Sequence, residues 1–304
     1  MQKKYEIDKW GLLFLGINLC IFKTFTAMPQ FFAKSAGSAQ ALSFTLCTLL
    51  FLAIFYIASR SCSRYNLKKL APLFIVYIIA STSRALLEFT RFISYFSFPT
   101  APKIFIILLF LGGCAYAVTK GMDAIIRGHI ILIPIMVALL VFLYIVNIRN
   151  ADLTNLFPVF GNGKSGILKA LSYIWIYFDA FLLFGVKKYY TGENFEVESR
   201  KAVLIGSLIN ILTVLFLNLT ASYPFSASIR FPFYQLLRSG GTILRPDTIY
   251  VLFLTLCGML YVSFGLFLTT KTLGGLFKTK VSRPYTFSVS FLVLYLALLF
   301  GGIK

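Results

Sequence analysis

The sequence predicts an all-α polytopic membrane protein, and three observations carry that expectation. Of 304 residues, 59% are hydrophobic and only 13% charged, with a mean hydropathy of +0.84, well outside the usual range of soluble domains. The apolar residues collect in runs of about 20, the length an α-helix needs to cross a bilayer. Most lysines and arginines stand between those runs rather than on one polar face. The net charge of +19 therefore implies topology-setting and lipid-headgroup contact, not a nucleic-acid partner.

Taken in order, the first run is Trp10–Gln30. It is too long for a signal peptide, contains Lys23 and lacks a small-residue cleavage pattern, so it counts as a span. Ala39–Ser59 follows, then Leu70–Phe96, Pro102–Thr119 and Ile130–Ile148. Leu168–Val186, Ala202–Ser222, Thr248–Thr270 and Tyr285–Gly301 complete nine candidate spans. With the amino terminus cytoplasmic, the inner side collects about twice the basic residues of the outer, Lys3, Lys4, Arg60, Lys68, Lys69, Lys187, Lys188, Lys278 and Lys280 among them. Four of the five cysteines, Cys20, Cys47, Cys114 and Cys257, fall within apolar runs, Cys62 falls outside them, and none forms a CxxC pair. They are read as small core residues, with no disulfide framework, metal site or cofactor.

The chain is organised around the third run, where Leu73–Phe96 carries Arg84, Glu88 and Arg91. Their spacing of i, i+4 and i+7 places all three on one helical stripe. A charge in hydrocarbon is costly, so such a stripe turns toward other helices or a wet cavity. At roughly 1.5 Å per residue, Lys23 and Arg84 reach similar depths toward the outer face, Glu88 lies slightly further out, and Asp179 falls near the middle. Charges of opposite sign on three spans thus converge. Lys23 either snorkels to the outer headgroups or enters the bundle to neutralise Glu88 or Asp179. Glu88 pairs within its helix with Arg84 or Arg91, or gates a ligand. Asp179 has no basic neighbour in its own span, so its partner comes from elsewhere.

Two outer segments read as structured. Asp152–Lys169 has Pro158 and a glycine-rich turn leading into the sixth run, and Arg230–Asp247 reads as a short amphipathic helix along the membrane surface followed by a glycine turn. Gly163-Lys164-Ser165 imitates the end of a phosphate loop, but Pro158 stands where its first glycine belongs. His129, the only histidine, borders the fifth run and is read as a headgroup contact. No cluster of His, Cys or carboxylates supports metal chemistry, and no hydrolase constellation is present, so catalytic residues are not expected.

Several segments occur in an order that resembles the endospore germination permeases, the B subunits of nutrient germinant receptors. Tyr116, Gly121 and Arg127 match that family's Y…KG…R pattern, and Asn155, Leu156 and Pro158 its NLxP segment. Arg230, Pro232, Arg238, Arg245 and Asp247 match its RYP…R…RxD segment, Glu88 its third-span glutamate, and Asp179 the place of a sixth-span glutamate. The family is similar to the amino acid–polyamine–organocation transporters. The resemblance implies a LeuT-like inverted-repeat fold, with a first repeat at about 10–148 and an incomplete second at about 168–301 in a single permease domain. It implies interrupted first and sixth helices, here at Lys23–Pro29 and Ser172–Asp179, beside a mid-membrane ligand site. Three departures stand out: nine spans rather than ten, Lys23-Thr24 where the first-span glycine is usual, and Ser38-Ala39-Gln40 where an aspartate–tryptophan pair is usual.

The expected function is that of a germinant-receptor subunit binding a small nutrient such as an amino acid and signalling to A and C subunits. The expected location is the inner membrane of a bacterial spore, in contact with lipid. The alternative is an amino-acid or organic-cation transporter with net flux. The expected ligand-binding residues are Lys23, Thr24, Arg84, Glu88, Tyr177 and Asp179. Lys23 and Arg84 balance charge, Thr24 donates to the ligand, and the two acids hold an amine or gate the path.

Overall fold

Apolar segments in lipid must satisfy their backbone groups internally, which leaves helices as the open-chain solution. The computed structural model describes residues 6–26, 28–61, 71–96, 100–239, 246–277 and 283–301. Within them lie α1 (Lys9–Ile21), α2 (Met28–Ala36), α3 (Gln40–Ser61), α4 (Ala71–Phe96), α5 (Lys103–Lys120) and α6 (Met122–Asn147). These are followed by α7 (Gly163–Leu171), α8 (Phe195–Thr220), α9 (Tyr223–Ser228), α10 (Pro232–Ser239), α11 (Pro246–Leu276) and α12 (Arg283–Gly301). Among the described residues there is no strand, only an isolated bridge between Ile7 and Tyr190. Seven helical stretches are long and apolar enough to cross a membrane, and the apolar part of α12, Pro284–Leu299, is shorter. Outward-facing Leu49, Val76, Leu109, Ile135, Leu208 and Phe291 are exposed, as a lipid-facing belt requires. Cys62, Arg245 and the basic residues Lys3, Lys4, Lys68, Lys69, Lys278 and Lys280 lie outside the described residues.

Two close helix crossings position the interior. On α1, a Cβ at Gly16 would meet the Ala202 Cβ at 2.6 Å, and one at Gly206 of α8 would meet the Cys20 Cβ at 2.8 Å. On α11, a Cβ at Gly265 would lie 2.2 Å from the Thr82 hydroxyl of α4. Small residues at these points let backbones approach, and in lipid that packing is a main source of helix association. Polar ties reinforce it: Gln40 donates to the Asn218 side-chain oxygen at 2.6 Å, and Asn218 donates to the Ser38 carbonyl at 3.1 Å.

The structure bears out one expectation, the interruption of the first run that the resemblance implies, and revises three. The first run is not one helix. It breaks after Ile21, passes through a 3-10 turn at Phe22–Phe25, and restarts as α2, which leads through a second 3-10 turn at Gly37–Ala39 into α3. The break falls in the stretch that the resemblance singled out. The sixth run departs from α geometry differently, continuing from α7 as a 3-10 helix over Ser172–Tyr189, far longer than the usual three or four residues.

His129 is not at a headgroup surface. Helix α6 begins eight residues before the predicted fifth run, so His129 is fully buried between α1 and α6. Its Nδ1 donates to the Ile125 carbonyl at 2.8 Å, and its Nε2 therefore accepts from the Asn18 amide at 3.2 Å. Lastly, α10 does not lay its apolar face on lipid. Phe231, Phe233, Tyr234, Leu236 and Leu237 are buried, with Phe231 and Tyr234 against Phe92 and Phe96 of α4. A ring-rich face gains more by packing on other rings than on disordered tails.

Candidate functional site

The break at the end of α1 leaves backbone carbonyls without helical partners. Neighbouring helices supply donors: Asn210 of α8 reaches the Cys20 carbonyl at 2.9 Å, and Tyr250 of α11 reaches the Phe25 carbonyl at 2.5 Å. Thr26 closes the turn by donating its hydroxyl to the Lys23 carbonyl at 2.7 Å. Tyr250 is 1% exposed. Tyr250→Phe is expected to cost about 1–3 kcal/mol, because the Phe25 carbonyl loses its donor in a dry interior. Thermal unfolding in detergent checks this, and a variant as stable as the parent shows that water replaces the hydroxyl.

The turn aims Lys23 inward. Its Nζ lies 2.5 Å from Oδ2 of Asp179, with side-chain exposures of 12% and 0%. The other carboxylate oxygen, Oδ1, accepts from the Tyr77 and Ser81 hydroxyls, each at 2.6 Å. Ser81 has given its only hydrogen to Asp179, so it accepts from Tyr261 at 2.8 Å and from Lys23 at 3.3 Å. The buried carboxylate is therefore ion-paired through Oδ2 and hydrogen-bonded through Oδ1, and a buried charge is tolerable when it is paired in this way.

Beside this pair lies a cavity lined by Lys23, Thr26, Met28, Arg84, Glu88 and Trp175, among others. Its free space of about 30 Å³ holds two or three waters at roughly 10–15 Å³ each, so this conformation is too tight for a nutrient. Arg84 stacks on Trp175 with its guanidinium carbon 4.3 Å from the ring centroid, and Lys23 Nζ lies 5.9 Å from the same centroid. Glu88 is 2.9 Å from Arg230 and 3.2 Å from Arg91, tying α4 to the segment between α9 and α10.

Of the predicted residues, Lys23, Arg84 and Glu88 line the cavity, and Asp179 stands behind Lys23. Thr24 is fully buried and donates to the Met28 sulfur at 3.8 Å, while Thr26 lines the cavity. Tyr177 lies apart, its hydroxyl 2.6 Å from Thr48 and its ring between Phe44 and Phe51. Sequence reasoning passed over Tyr77, Ser81, Trp175 and Tyr261, and named Arg230 only as part of a motif and not as a site residue. A signal for two of them existed, since Tyr77 and Ser81 extend the Arg84–Glu88–Arg91 stripe backwards at the same three- and four-residue spacing.

Residues 68–301 match a family, Spore_permease, described as spore germination protein. No match is found among curated proteins. The fold is similar to that of Mhp1, a nucleobase-cation-symport-1 family transporter in a closed conformation with bromovinylhydantoin bound. The TM-score is 0.70 at 11% identity, covering 99% of this chain and 74% of that one. At that identity the likeness concerns the fold alone, which is the LeuT-like transporter architecture.

Proposed function

The chain belongs to the spore germination protein family, and from that premise we propose that this multi-pass, permease-like membrane protein is the nutrient-sensing subunit of a germinant receptor. It binds a small nutrient, an amino acid first among the candidates, and signals to A and C partner subunits. Its place is the inner membrane of the spore, with the amino terminus cytoplasmic, and it reads as two repeats at about 10–148 and 168–301. One observation carries the reading: the Lys23–Asp179 pair sits at a helix interruption, beside a narrow cavity lined by Arg84, Glu88 and Trp175. In transporters, interrupted helices of this kind form the substrate site. Occupancy then favours one arrangement of the repeats over another. The role is one of binding rather than catalysis.

The test fills the cavity. Ala85, 3% exposed, lines it, and Ala85→Leu is expected to reduce nutrient-triggered germination at least about tenfold, the equivalent of about 1.4 kcal/mol of lost binding, while the protein still reaches the membrane. An unchanged germination response at normal expression would sink the reading. The transporter alternative draws on the likeness to Mhp1. Accumulation of labelled amino acid by the chain alone in proteoliposomes would favour it.

A further inference from the structure

We propose that Arg84 is the carboxylate-binding group of this cleft, so that the ligand is recognised by an acid group and not by an amine. This rests on the cavity being the nutrient site, and it narrows the class of nutrient.

Both acids at the site are already engaged. Asp179 holds Lys23 at 2.5 Å and accepts from two hydroxyls. Glu88 is held by Arg230 through both of its oxygens, at 2.9 and 3.2 Å, and by Arg91. An incoming ammonium group would have to displace one of these cations, and the displaced charge would be left in a poorly solvated interior. The cations are not matched in the same way. Among the described residues Arg84 has neither a hydrogen bond nor a carboxylate within ion-pair distance. It stacks on the Trp175 face, which leaves the edge of the guanidinium uncommitted.

A guanidinium presents a fork of N–H donors that fits a carboxylate at two points. Stacking on Trp175 fixes the plane of that fork and spares it the loss of rotamer freedom on binding. The local charge points the same way: Lys23, Arg84, Arg91 and Arg230 stand against Asp179 and Glu88. One added negative charge brings the cluster closer to neutral, whereas an added cation takes it further away. The limited space confines the ligand to a few heavy atoms, and admits even those only when a lining side chain such as Met28 moves.

The experiment measures binding of L-alanine, L-lactate and L-alaninamide to the full chain in lipid nanodiscs, by ligand-induced thermal stabilisation and by calorimetry. Lactate keeps the carboxylate and lacks the amine, and alaninamide does the reverse. Alanine and lactate are expected to bind within about tenfold of each other, and alaninamide at least 30-fold more weakly. Arg84→Gln is expected to weaken alanine binding by about 10- to 100-fold, the range for hydrogen bonds to charged groups. Arg84→Lys keeps the charge without the fork and is expected to fall between, while unliganded melting temperatures report folding separately. Alaninamide binding on a par with alanine, or alanine binding unchanged by Arg84→Gln, overturns the carboxylate assignment and leaves the cleft standing. Binding of none of the three also overturns the assignment, and if Ala85→Leu is silent in germination the cleft falls with it.

Discussion

Replacing Lys23 with methionine is expected to lower stability by about 3–5 kcal/mol, the cost of removing one partner from a buried ion pair. The change keeps an unbranched apolar stem of similar reach, so packing accounts for little of it. What remains is the Asp179 carboxylate, 0% exposed, with two hydroxyl donors and, among the described residues, no cation within ion-pair distance. Asp179→Asn strands the Lys23 ammonium in the same surroundings and is expected to cost a similar amount. The double variant Lys23→Met with Asp179→Asn removes both charges and is expected to recover most of the loss, because the attraction and both desolvation penalties vanish together. Denaturant unfolding of the four proteins in detergent closes the cycle. A single variant within about 1 kcal/mol of the parent, with no rescue in the double, would mean that the pair behaves like an exposed one.

Gly161→Ala is the second large effect, at least about 3 kcal/mol, from a left-handed backbone combined with a backbone clash. Gly161 has φ +48°, and a Cβ there would lie 2.0 Å from the Ala36 carbonyl oxygen and 2.7 Å from the Ala39 nitrogen. Neither atom can swing away as a side chain can. The loop is clasped at this point to the joint between α2 and α3: Asn162 N–H donates to the Ala36 carbonyl at 3.1 Å, and Ser38 donates to the Pro158 carbonyl at 2.5 Å. Gly163 supplies the internal comparison. It too is left-handed, φ +76°, but its Cβ would meet nothing within 4 Å, so Gly163→Ala is expected to cost only about 1–2 kcal/mol. Equal losses of melting temperature for the two variants would refute the close approach. Since α2 continues from the broken helix, Gly161→Ala is also expected to disturb the cavity.

Much of the architecture is legible in the residues themselves. The run Thr248–Thr270 lies within α11, and Ala202–Ser222 lies within α8 but for its last two residues, because a run that long and apolar has little choice in lipid. Boundaries were less legible: α8 starts at Phe195, seven residues before its run, since charged residues such as Glu196 and Arg200 fit a helix end in water as well as a loop. The site was legible in part. The α4 stripe pointed to Arg84 and Glu88, and the missing neighbour of Asp179 pointed to a partner on another helix. That Lys23 would be this partner, and Arg230 the partner of Glu88, was not readable, because the candidates were several and their spans of similar depth.

The residues alone settle the solvent of this protein and the helical character of most of its chain, because transfer of an apolar run into lipid and closure of its hydrogen bonds are local matters. They also mark which side chains cannot face lipid. Which of those meet is decided by the folded bundle, through the close crossings at Gly16, Gly206 and Gly265. Contacts between distant segments depend on helix rotation and approach, and these arise from the whole set of interfaces rather than from any one stretch. Among the described residues, that arrangement leaves Arg84 on an aromatic face with no carboxylate within ion-pair distance, which its place in the chain does not.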